Sequence, residues 1–61
     1  MYIVYDGRAS YDIDAATVLE VLDTTDKNQA IREFKREWKD HDAVLADKYN
    51  NIIPIDTLRG G

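Results

Sequence analysis

An α+β fold of order ββαββ, a two-layer domain with one helix packed on a four-stranded sheet, follows from three features of this 61-residue chain. Residues 26–40 repeat with helical period, and a single apolar arc gathers Ala30, Ile31, Phe34 and Trp38. Short β-branched or aromatic runs flank that helix on both sides. Turn residues punctuate the runs at Asp6-Gly7, Asp23-Thr24, Asp40-His41-Asp42 and Asn50-Asn51. A helix with one apolar stripe must bury it, and a sheet in the same chain is the simplest partner surface.

Each element has its own warrant. Residues 2–5 (Tyr-Ile-Val-Tyr) read as the first strand, followed by a turn at Asp6–Ser10 and a polar loop to Ala16. Residues 17–22 also fit helical spacing through Ala15, Val18, Leu19 and Leu22, but Thr17, Val18 and Val21 are β-branched and favour a strand. Thr25 or Asp26 can cap the helix by accepting an orphan backbone N–H, and Asp26 with Gln29 three residues on has the form of a capping box. Ala43–Asp47 reads as a third strand, 48–51 as a hairpin turn, and Ile52, Ile53 and Ile55 as a fourth strand. Pro54 lacks an N–H and so puts that strand at an edge. The domain is expected to span residues 1–56, with 57–61 as a flexible tail. The expected core is Leu19, Val21, Ile31, Phe34, Trp38, Val44 and Leu45.

Size and charge narrow the functions. A chain this short buries roughly 60% of its unfolded surface, so a partner or a second copy would add useful burial. It has no cysteine, hence neither a disulfide nor a thiolate metal site. The N-terminus carries no basic segment before an apolar run, and no stretch reaches the ~20 apolar residues of a membrane span. The expectation is a soluble cytoplasmic protein without a membrane segment. Its net charge of −4 is local: residues 1–23 hold Asp6, Asp12, Asp14, Glu20 and Asp23 against Arg8 alone. On the helix, Arg32, Lys35, Arg36 and Lys39 form one stripe, and Asp26, Glu33, Glu37 and Asp40 another. The like-charged i,i+4 pairs this creates, such as Arg32–Arg36 and Glu33–Glu37, each cost about 0.2–0.5 kcal/mol. The basic stripe reads as a solvated face, since four cations in a chain of net −4 are a weak footprint for nucleic acid, and direct nucleic-acid binding is not expected.

Catalytic constellations are hard to assemble. His41 is the only histidine and Ser10 the only serine, and nothing in their spacing brings them together. Asp12-Ile13-Asp14 lacks the further acidic ligand and turn glycine of a calcium loop. Gly7 stands alone and makes no phosphate loop. No catalytic residue, cofactor or metal is therefore expected. The reading that remains is a non-enzymatic interaction protein whose acidic surface binds a protein partner. Asp6, Asp12, Asp14 and Glu20 supply the charge, and Tyr5 and Tyr11 the amphipathic anchors.

Two resemblances add to this. The stretch Tyr5-Asp6-Gly7-Arg8-Ala9, the segment from Asp14-Ala15 to Leu19-Glu20 and the Asp23-Thr24 helix entry resemble small uncharacterised phage and prophage proteins. That resemblance implies an accessory factor or inhibitor acting on a host macromolecule, with no catalytic residues. The terminal Leu58-Arg59-Gly60-Gly61 resembles ubiquitin and the β-grasp sulphur carriers, as do Thr17–Val21 and the helix entry. It implies the alternative of a carrier conjugated or thiocarboxylated at Gly61. A third reading is a self-associating structural subunit that uses the apolar edge at 52–55.

Overall fold

The structure is a computed structural model that describes residues 1–54. It is an α+β arrangement of one helix and a three-stranded antiparallel sheet. Strand β1 (Tyr2–Asp6) is central, with β2 (Val18–Leu22) on one side and β3 (Ala43–Asp47) on the other. Tyr2 pairs with Leu22 and with Asp47, and Val4 with Glu20 and with Leu45. β2 and β3 therefore run parallel to each other with β1 between them, and helix α1 (Lys27–Trp38) makes the crossover. Two short 3-10 turns, Gly7–Ser10 and Ile13–Ala15, lead from β1 to β2.

Among the described residues the sheet has three strands, and the fourth strand expected from the sequence is not shown. Ile52 makes a single bridge to Ala46, and the Ile53 N–H donates to Leu45 O at 2.8 Å, so this stretch follows β3 without becoming a strand. Pro54 comes next and can donate nothing to a ladder. Ile55 and the tail at 57–61 lie outside the described residues.

Asp26 caps the helix through Oδ1, which accepts from Asn28 N (2.9 Å) and Gln29 N (3.4 Å). The reciprocal half of the capping box goes elsewhere. The Asp26 N–H donates to Thr24 Oγ1, whose hydroxyl in turn donates to Gln29 Oε1. The expected helix extends one residue too far at its start and two at its end, because Lys39 is the C-cap and the chain turns there.

Both faces of the sheet are covered. On the helix side, Val4, Leu22, Ala43, Leu45 and Ile53 meet Ala30 and Phe34, with Tyr2, Ile31 and Trp38 packed around them. On the other side, the 3-10 turns bring Ala9, Ile13 and Ala16 over Tyr5, Val44 and Ala46, with Ile3 and Ile52 alongside. Phe34, Val44 and Leu45 occupy the core as expected, and Ile31 and Trp38 lie half-buried at its margin. Leu19 and Val21 do not enter it. Both are exposed, because β2 uses Leu22 rather than its neighbours to face the helix.

Candidate interaction surface

The turns after β1 set the geometry of the acidic segment. The Asp6 carboxylate accepts from Arg8 N (3.0 Å) and Thr17 N (3.3 Å), and its own N–H donates to Thr17 O (3.0 Å). Asp6 thus closes the loop between β1 and β2, and its oxygens are engaged within the chain. Tyr5 is likewise not a surface anchor. It is 8% exposed, packs on Ala9, Val44 and Ala46, and donates its hydroxyl to Asn50 Oδ1 at 2.8 Å. Both residues were expected to meet a partner; Tyr5 is buried, and Asp6 is half-buried with its carboxylate hydrogen-bonded within the chain.

Tyr11 and Asp12, between the 3-10 turns, and Asp14, within the second of them, are exposed, and Tyr11 is 81% exposed. Glu20 is elsewhere. Its carboxylate accepts from Trp38 Nε1–H at 2.9 Å, which puts it on the helix side of the sheet. The connection that carries Tyr11, Asp12 and Asp14 covers the opposite side. The single acidic surface expected from the sequence is thereby divided in two by the sheet.

The structure adds residues that sequence reasoning assigned to the interior or passed over. Val18, Leu19 and Val21 are 50%, 38% and 52% exposed. Val18 pairs with Tyr5 and Val21 with Ile3, and cross-strand partners share a face. Val18 and Val21 therefore stand on the same side as the Tyr11–Asp14 connection. That connection packs over β1 and β3 and leaves β2 uncovered. The register shifts between Val4 and Tyr5, where β2 carries an extra residue opposite β1. A signal for this was present: Glu20 in the middle of an apolar run is the kind of charge that marks an edge strand. No residue from Ala9 to Asp26 is basic, while Asp12, Asp14, Glu20, Asp23 and Asp26 are all acidic. Apolar and acidic side chains are thus exposed together on one stretch of chain.

Other sites offer less chemistry. An open hollow between Met1, Tyr2, Thr25 and Asp47–Tyr49 contains one carboxylate, and Asp47 already accepts from Tyr49 N and Asn51 N at 2.9 Å each. Among the described residues, no three of His, Asp and Glu are grouped so as to hold a metal ion, and no helix is long and apolar enough to cross a membrane. The apolar edge expected at 52–55 is largely spent inside the chain, since Ile53 is buried in the core and Ile52 bridges Ala46. Leu58-Arg59-Gly60-Gly61 lies outside the described residues.

No protein-family model matches this chain, and neither a curated protein nor a solved structure was found to be similar to it.

Proposed function

We propose that this protein is a non-enzymatic interaction module that binds another protein through the face formed by the Tyr11–Asp14 connection and β2. The observation that carries the reading is the joint exposure of Tyr11, Val18 and Val21 beside Asp12 and Asp14, on a stretch with no basic residue. Exposed aliphatic and aromatic side chains bring a gain on burial, and one-sided charge selects a partner of opposite sign and speeds its approach. Tyr11 is the natural anchor, since a tyrosine buries a large ring while its hydroxyl stays hydrogen-bonded. Tyr5 and Asp6 support this face rather than form it, and Glu20 lies on the opposite side of the sheet. A host protein is the partner that the resemblance to small phage and prophage proteins implies.

The test is recovery of bound proteins from the native host by the wild-type chain and by the double variant Asp12→Lys/Asp14→Lys. Both carboxylates are exposed, so the variant keeps its fold, as circular dichroism would verify. The expected result is loss of the bound protein by the variant and again by Tyr11→Ala. Retention of every bound protein by both variants would remove the reading.

A further inference from the structure

The two outer edges of the sheet are unlike. Beyond β3, the chain turns back through Asp47–Asn51 and closes part of the edge with the Asp47 N–H to Asn51 O and Ile53 N–H to Leu45 O bonds. Beyond β2, nothing pairs among the described residues. An unpaired strand edge offers a row of backbone donors and acceptors for another strand. Folded proteins usually blunt such an edge with proline or inward charge, or cover it. Here β2 presents Val18, Leu19 and Val21, all exposed, and one charge, Glu20, held aside by Trp38.

We propose that the outer edge of β2 receives an extended segment of another protein as an added strand, with aliphatic residues alternating with lysine or arginine. This rests on the interaction-module reading and names the partner's chemistry and binding mode. Backbone hydrogen bonds from the edge supply the pairing, and Val18 and Val21 take the aliphatic side chains on the face they share. The charge of the segment is set by its surroundings. Glu20 and Asp23 lie on or directly after β2, Asp12 precedes and Asp14 lies within the 3-10 turn before it, and no cation lies between Ala9 and Asp26. The same charge argues against a second copy of this chain. Two β2 strands paired antiparallel about their centres would set Glu20 opposite Glu20 between two acidic flanks, and like charges directly opposite destabilise a ladder.

The experiment titrates the full-length, isotopically labelled chain with an end-capped octapeptide of alternating valine and lysine. A peptide of alternating valine and glutamate is the comparator. The expected result is saturable amide shifts confined to β2 and its β1 partners, with binding at least tenfold weaker for the glutamate peptide. Val21→Lys and Val18→Lys, both at exposed positions, should each weaken the lysine peptide at least tenfold. An unchanged circular dichroism spectrum and thermal transition would show that the fold is intact. Equal binding of both peptides, shifts centred elsewhere, or no binding at all would overturn the proposal. So would a concentration-dependent dimer that the lysine peptide cannot dissociate, because a second copy would then hold the edge. The broader reading fails separately. If Asp12→Lys/Asp14→Lys loses the native partner while Val21→Lys keeps it, the module stands and strand addition at β2 does not.

Discussion

Trp38 and Glu20 tie the last turn of the helix to the edge strand: the indole Nε1–H donates to Glu20 Oε1 at 2.9 Å. Beside them the His41 ring meets the Trp38 indole edge-on, with ring centroids 5.2 Å apart. Trp38 is the only tryptophan, so its emission reports on this junction alone. Glu20→Ala removes the acceptor and hands the indole N–H to water. The emission should move to longer wavelength, and stability should fall by about 0.5–1.5 kcal/mol, the range for one hydrogen bond. For a domain of this size 1 kcal/mol corresponds to roughly 4–8 °C in Tm. Glu20→Gln keeps an acceptor oxygen and should shift both readouts less. An unchanged spectrum in Glu20→Ala would show that the junction does not form in solution.

Phe34 is the anchor of the helix. Only Ala30 and Phe34 are buried along α1, and Phe34 supplies most of the volume. Phe34→Ala should cost about 3–5 kcal/mol. A core this small rarely supplies more than about 3–5 kcal/mol in total. The variant is therefore expected to be unfolded at 25 °C, with collapsed amide chemical-shift dispersion. A cooperative thermal transition in Phe34→Ala would mean that the helix is held chiefly by something other than its apolar stripe.

What the residues disclosed in advance divides along one line. Where the period was long and its stripe wide, as from Asp26 to Trp38, both the element and its buried face were legible. β2 was legible as a strand but not in its facing. Thr17–Leu22 is apolar on both parities, and a strand's facing flips with a one-residue change of frame. Leu19 and Val21, which share one parity, are the residues of this strand expected in the core. The structure puts Leu22 inward and lets Glu20 reach Trp38 at the rim, with the register shift opposite Val4/Tyr5 making up the difference. Tyr5 escaped for another reason. Its burial depends on the 3-10 turns folding back over it and on Asn50, 45 residues away, and no local pattern encodes such a contact.

Asn50 is the one described non-glycine residue with positive φ, at 64°. Asparagine tolerates that region better than most residues, and here its Oδ1 also accepts the Tyr5 hydroxyl at 2.8 Å. The two roles can be separated. Asn50→Gly keeps the backbone and loses the hydrogen bond, for an expected cost of about 0.5–1.5 kcal/mol. Asn50→Ala loses both and should cost a further 1–2 kcal/mol, roughly, from the left-handed conformation. Urea midpoints that rank Ala equal to Gly would show that the turn relaxes to another conformation.

Asp47 makes the same turn sensitive to acid. Its carboxylate lies below the usual carboxylate range, first through the Asn51 backbone N–H and then through that of Tyr49, with Lys48 adding a smaller pull. A carboxyl depressed in the folded state lends stability above its unfolded pKa, and that contribution is lost as pH falls through the folded value. The turn should therefore be at full strength at neutral pH and weaken as pH falls from the ordinary carboxylate value toward the lowered one. Asp47→Asn keeps the shape and an acceptor oxygen but removes the charge. Its urea midpoint should lie below wild type at pH 7, and the two should converge as pH falls through the lowered Asp47 value, where the wild-type carboxyl takes up its proton. A gap that stays constant from pH 7 to pH 2 would assign the effect to shape rather than to the charge on Asp47.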